Sequence, residues 1–109
     1  MEVSFDDPRL KAIFENEKRL LKEHGKNRAS KIKNRLKDLQ AAETLADMRS
    51  FPGRCHELRG DLAGHLSLDL DHPYRLLVRP AKDTEPLPGG GLDWTKVLDV
   101  VIVSIADTH

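Results

Sequence analysis

Residues 65–80 read His65-Leu66-Ser67-Leu68-Asp69-Leu70-Asp71-His72-Pro73-Tyr74-Arg75-Leu76-Leu77-Val78-Arg79-Pro80. Leu66, Leu68 and Leu70 alternate with His65, Ser67 and Asp69, the period of two that marks a strand with one buried face. Asp71-His72-Pro73 reads as a turn. Residues 74–79 return as a second strand, with Tyr74, Leu76 and Val78 on one face. Pro80 has no N–H to give to a ladder and ends it. The stretch is therefore a β-hairpin, and it sets the second half of the chain as sheet.

Downstream, residues 81–94 contain Pro86, Pro88 and Gly89-Gly90-Gly91 and read as a long loop. Residues 97–106 are almost continuously apolar, which predicts a central strand covered on both sides. Upstream the period becomes helical. Residues 2–5 suit a short strand, Asp7 an N-cap and Pro8 the first helical position. Leu10, Ile13, Phe14, Leu20 and Leu21 recur at helical spacing, with Glu17 a gap, and Gly25 ends this helix near residues 23–24. A second helix starts near Asn27 with a narrow apolar seam of Ala29, Ile32, Leu36 and Leu39. Lys31, Lys33, Arg35 and Lys37 fall mostly off that seam, which puts them on its outer face. The turn at Gly25 and Lys26 makes the pair an antiparallel helical hairpin, and residues 42–48 add a short helical turn before Pro52-Gly53. Helices first and sheet after give an α+β fold: one domain over 1–109, with a helical hairpin at 7–49 packed on a small antiparallel sheet at 54–109 that carries a loop insertion at 80–96.

A chain of 109 residues makes one domain with a modest core, and a 39% apolar share excludes general disorder. No apolar run approaches the roughly 20 residues of a membrane span, so no membrane partner is expected. The opening MEVSFDDP lacks the basic and apolar regions of a signal peptide. The single cysteine, Cys55, excludes an internal disulfide framework and suits a reducing, cytoplasmic setting. The 18 basic and 18 acidic side chains cancel overall but not locally. Residues 1–17 carry a net −3, residues 18–54 a net +7 and residues 55–109 a net −4. Such a basic block suits an anionic partner, nucleic acid or an acidic protein segment, and it equally suits a solvated helix face.

The sequence has no glycine-rich phosphate loop, no Gly-x-Ser-x-Gly, no Cys-x-x-Cys and no His-Glu-x-x-His. No two of the five histidines are spaced i, i+4, so neither a metal site nor a cofactor is expected. What remains is a set on or near the sheet: Arg54, His56, Arg59, Arg75, Arg79, Asp107 and His109. Arginine offers fixed, bidentate donors for phosphate, and histidine passes protons near neutrality. Together they suit metal-free RNA cleavage, in which a 2′-hydroxyl attacks the adjacent phosphate. Each residue also has a plain structural reading. His56 suits a partly buried strand position, Arg75 and Arg79 surface ion pairs with Asp69 or Asp71, Tyr74 the core, and Trp94 a loop anchor.

The run Arg54-Cys55-His56-Glu57-Leu58-Arg59-Gly60-Asp61-Leu62-Ala63-Gly64, followed by Ser67-Leu68-Asp69-Leu70 and His72-Pro73-Tyr74-Arg75-Leu76, resembles the HigB-like branch of the RelE/ParE superfamily. These are the killer proteins of plasmid-maintenance toxin–antitoxin modules. The family pattern is a Leu-His-x-Leu-x-Gly-(Asp/Asn)-x-x-Gly segment, a hairpin with Trp/Tyr-Arg-Leu, and a terminal Asp-Tyr-His. The resemblance covers nearly the whole chain and rests on the order and spacing of these motifs. It implies a RelE/ParE-like fold and ribosome-dependent endoribonuclease cleavage of mRNA, which inhibits translation. The implied partners are mRNA, the ribosome and a cognate antitoxin with a helix-turn-helix. It also implies that His56 is a catalytic or RNA-contacting histidine, Arg75 the hairpin arginine, and Asp107 and His109 members of the terminal triplet. On this reading Arg54, Arg59 and Arg79, with Lys31, Lys33, Arg35 and Lys37 on the helices, contact RNA. Thr108 stands where the family has tyrosine and loses the stacking surface. The loop at 80–96 is longer than in compact members and is similar to a variant described as a killer-suppression protein. These two departures carry an alternative reading, a catalytically degenerate interaction or regulatory protein of such a module. A third, poisoning of DNA gyrase as by some ParE-like members, fits poorly with His56 and His109.

Overall fold

Asp7 opens the first helix as its residue type dictates. In the computed structural model, which describes residues 1–107, its carboxylate accepts the Arg9 N–H at 2.8 Å. Pro8 follows as the first residue of α1 (Pro8–Phe14). The apolar spacing predicts one helix running on to residues 23–24, but the chain breaks at 15–16 and restarts as α2 (Glu17–Ala41). Asn16 is the cause. Its backbone is extended and its side-chain oxygen accepts the Arg19 N–H at 3.1 Å, satisfying a first-turn donor of a new helix.

Gly25 then folds α2 back on itself. Its φ of 77° and ψ of 167° lie in a region essentially reserved for glycine. The reversal is visible in the ion pair of Lys33 with Glu17 at 2.7 Å, since residues 16 apart in a straight helix lie about 24 Å apart. Segments 17–24 and 26–41 therefore run antiparallel, as the Gly25 turn predicts. The extra helical turn follows as a 3-10 helix at Leu45–Ser50, slightly later than its sequence position suggested.

The sheet has five strands: β1 (Glu2–Phe5), β2 (His56–Glu57), β3 (Leu66–Asp69), β4 (Tyr74–Pro80) and β5 (Asp99–Asp107). Their order is β1-β5-β4-β3-β2. The hairpin read from residues 65–80 is β3 and β4, with a cis peptide bond between His72 and Pro73 and with Pro80 inside the strand as its last residue. The sheet is mixed, not purely antiparallel as expected, because β1 pairs with β5 in parallel. A parallel pair needs a long connection between its strands, and here the whole intervening chain supplies it. β5 lies between β1 and β4 as expected for a central strand, although only Val100, Val101 and Ile102 are buried on both of its faces.

Register sorts the side chains. Leu66 pairs with Val78 and Leu68 with Leu76, and β5 meets them with Ile102 and Ile105. The pairing skips Val103, so one bulge keeps both isoleucines in phase with their partners. This face packs on Leu20, Ile32 and Leu39 of α2 and on Leu45 and Met48, all essentially fully buried. Each such side chain contributes about 1.5–3 kcal/mol relative to an exposed one. The opposite face carries the row His56, Ser67, Leu77 and Ser104, then the row Asp69, Arg75 and Ala106. Among the described residues, no helix is long and apolar enough to cross a membrane.

Candidate functional site

Pro52 and Gly53 stop the helical layer, and the chain enters the sheet through a strained corner. Gly53 has a φ of 107°, and Arg54 a φ of 48°, left-handed values that arginine seldom adopts. The Gly53 carbonyl accepts the Asp69 N–H at 2.7 Å, tying the corner to the end of β3. Arg35 supports it from beneath. A Cβ on Gly53 would lie 2.6 Å from the Arg35 Nε, which donates at 2.7 Å to the Asp69 carbonyl oxygen. Arg35 is thus 8% exposed and internal, not on the outer basic face where its spacing placed it. The reason is that Arg35 lies three residues after Ile32 and four before Leu39, so it flanks the buried seam.

Above this support two arginines converge on one carboxylate. Arg54 Nε lies 2.5 Å from Asp69 Oδ2, and a terminal nitrogen of Arg75 bonds Asp69 Oδ1. Burial pushes the Asp69 carboxyl up, but the Arg54 hydrogen bond and the charges of Arg75, Arg54 and His56 outweigh it and hold the group below the ordinary aspartate value. His56 stands in the neighbouring row, opposite Ser67. Its Nδ1 lies 2.8 Å from the Arg54 carbonyl oxygen. A carbonyl only accepts, so Nδ1 carries the hydrogen and Nε2 is the ring nitrogen left to exchange a proton. The Ser67 hydroxyl beside it is buried with no hydrogen-bond partner among the described residues.

Two concavities flank this group. A hollow of about 70 Å³ lies against Arg54, Asp69, Tyr74 and Arg75. A wider groove of about 830 Å³ opens on the other side of His56, between residues 55–64 and the loop at 86–94, with Arg49 and Arg59 on its walls. Trp94 closes one end of the long loop as an anchor, the structural role its position suggested. Its indole N–H donates to Glu57 Oε1 at 2.6 Å, the Leu92 N–H donates to Oε2 at 3.3 Å, and the Arg49 guanidinium stacks 4.1 Å from the ring centre. Burial pushes the Cys55 thiol up to about 12 against the opposing charge of Arg49, so this groove holds no ready thiolate nucleophile.

The structure brings together Arg54, His56 and Arg75, places Arg59 with His56 on the wall of the groove, and sets Arg79 apart. Arg79 sits four residues from Arg75, about 13 Å along the strand. It pairs with Asp6 at 2.9 Å and not with Asp69 or Asp71. Asp107 stands opposite Tyr74, one register step out of phase with Arg75. Thr108 and His109 lie outside the described residues. Tyr74 is half-buried under Arg28, whose guanidinium is 3.5 Å from its ring centre and also grips Asp71 at 2.9 and 3.1 Å. Of the helical basic residues, Lys33 pairs with Glu17, Lys37 is exposed and Lys31 is half-exposed. Among the described residues no three His, Cys, Asp or Glu side chains group to hold a metal ion. Sequence reasoning treated Asp69 only as a surface partner and missed Glu57 and Arg49. The alternation of β3 signals the first, since Asp69 shares the phase of Ser67 and hence the face of His56.

The arrangement suits chemistry in which two guanidiniums hold an oxyanion while an imidazole beside them exchanges a proton. Compared with known proteins, the chain matches no family model and no curated protein.

Proposed function

We propose that this chain is the toxin of a type II toxin–antitoxin module, a metal-independent, ribosome-dependent mRNA endoribonuclease of the HigB-like, RelE/ParE type. The observation that carries the reading is the convergence of Arg54, His56 and Arg75 on one sheet face. In the reaction His56 Nε2 takes the proton of a 2′-hydroxyl. The freed oxygen forms a bond to the adjacent phosphorus and the bond to the 5′-oxygen breaks. Arg75, with Arg54, holds the phosphate and offsets the charge that grows on its oxygens. A proton returns to the departing 5′-oxygen from His109, with Asp107 fixing the strand end next to it. Arg59 beside the site, and Lys31 and Lys37 on the helical layer behind the sheet, would contact RNA, so binding falls steeply with added salt. The cognate antitoxin, a helix-turn-helix protein, and the ribosome are the partners, and the cytoplasm is the setting.

Induction of the chain in a bacterium tests this. The wild type arrests growth and depletes mRNA, and His56→Ala and Arg75→Ala each abolish both effects. Unimpaired growth with intact mRNA under the wild type would overturn the reading. The second reading, a degenerate interaction or killer-suppression protein, is favoured by Thr108 and by the carboxylate that occupies both arginines. It predicts tight capture of a small helix-turn-helix partner with no RNA cleavage.

A further inference from the structure

Asp69 has an unusual position for a residue in a phosphate-binding cluster. It carries a full negative charge at the one place where Arg54 and Arg75 converge. Its backbone is clamped from both sides, by the buried Arg35 on its carbonyl and by the Gly53 carbonyl on its N–H. The backbone that carries the carboxylate is therefore fixed independently of its ion pairs. The Arg54 side chain, by contrast, is 71% exposed and springs from a left-handed backbone position, so its root belongs to the corner while its guanidinium is open to solvent. Beside the three charged groups lies the hollow of about 70 Å³, also lined by Tyr74, His72 and Pro73. At about 30 Å³ per water this is the size of two waters, the scale of one phosphate group.

We infer that Arg54 and Arg75 form an oxyanion site for a single phosphodiester of RNA, that Asp69 is its resident occupant, and that substrate binds by displacing this carboxylate from the two guanidiniums. The inference rests on the reading of Arg75 as a phosphate-holding residue and adds to it a built-in competitor. A carboxylate and a phosphate present the same pair of oxygens to a guanidinium fork, so the exchange leaves the arginine donors satisfied throughout. The competitor keeps two neighbouring guanidiniums from repelling each other in the unoccupied protein. It also restrains the site from gripping every nucleic acid it meets, because each phosphate has to outcompete a tethered anion. Removing the charge takes the shared anion away from both arginines and makes the site greedier.

The test uses the full chain with a single-stranded RNA dodecamer whose 2′-hydroxyls are methylated, so that it cannot be cleaved. Asp69→Asn and Asp69→Ser should each tighten its Kd by about tenfold or more, the change that about 1.4 kcal/mol produces. The double variant Arg54→Ala with Arg75→Ala should weaken binding, and adding Asp69→Asn to it should restore no affinity. Circular dichroism checks that each variant is folded, and Asp69→Glu, which keeps the charge, should stay near the wild type. A folded Asp69→Asn that binds no more tightly than the wild type overturns the inference, as does a gain that persists without the two arginines. These outcomes are separable from the proposed function. Growth arrest by the wild type with no gain at Asp69→Asn removes only the competitor. A gain in a protein that cleaves no mRNA leaves the oxyanion site and removes the toxin reading.

Discussion

Arg35 separates a structural arginine from an RNA-binding one, and its replacement by methionine makes the distinction measurable. Methionine keeps the flexible apolar stem, so packing against Ile32 and Leu39 is largely preserved. What is lost is the 2.7 Å hydrogen bond from a charged donor to the Asp69 carbonyl, worth about 1.5–3 kcal/mol, and the carbonyl is left unsatisfied. Release of a buried guanidinium from its desolvation penalty returns part of this, which leaves a net loss of about 2 kcal/mol. Against a total stability of about 5–15 kcal/mol for a domain of this size, the loss is large. It corresponds to a fall in Tm of roughly 8 °C at about 4 °C per kcal/mol. Urea and thermal unfolding followed by circular dichroism give the value, with Lys37→Met as the exposed control, expected within about 0.5 kcal/mol of the wild type. If Arg35→Met matches the control, the clamp on Asp69 carries no load and the account of the Gly53-Arg54 corner is wrong.

Further outcomes follow from the same geometry. Gly25→Ala should destabilise by about 1–3 kcal/mol through backbone strain alone, because nothing lies within 4 Å of the added Cβ; thermal unfolding reads it, and an unchanged Tm contradicts the reversal in α2. Trp94→Phe removes the donor to Glu57 and should release the loop at 81–93, seen as faster cleavage there in limited proteolysis. The Arg28 hydrogen bond, opposed by partial burial, holds the Asp71 carboxyl below its ordinary 3.8. A carboxyl lowered in the folded state stabilises above the unfolded value and loses that contribution as pH falls through the folded one. Asp71→Asn should therefore flatten the fall in urea midpoint below about pH 4, and an unchanged slope removes the pair from the acid limb.

The hairpin at 65–80 was legible because two independent signals agreed there, the strict alternation of Leu66, Leu68 and Leu70 and the Asp71-His72-Pro73 turn. The helical hairpin was legible through Gly25, whose φ of 77° needs glycine. The break at 15–16 was missed because the apolar spacing runs straight across it, and only the capping potential of Asn16 marks it. The parallel pairing of β1 was missed for a different reason. Four residues such as Glu2–Phe5 encode a strand but not its neighbour, which depends on where the rest of the chain returns. At the site, residue type picked out Arg54, His56 and Arg75, which the fold brings together, but it picked out Arg79 equally, which pairs with Asp6 instead. The role of Arg35 was not legible from charge. Its position relative to Ile32 and Leu39 marks it as internal, but counting it within a +7 block hid that. Glu57 and Trp94 meet across 37 residues, and no local pattern reports such a contact.

The central claim is that the face bearing Arg54, His56 and Arg75 cleaves mRNA through the 2′-hydroxyl without a metal ion. The chemistry of the cut ends tests it most directly: translating ribosomes programmed with a defined mRNA are incubated with the purified chain, and the fragments are recovered at once in excess chelator for analysis of their ends. The account predicts fragments that end in a 2′,3′-cyclic phosphate and begin with a 5′-hydroxyl, formed by the wild type on the ribosome and lost with His56→Ala. Fragments with a 3′-hydroxyl and a 5′-phosphate, or an mRNA left whole, would contradict it.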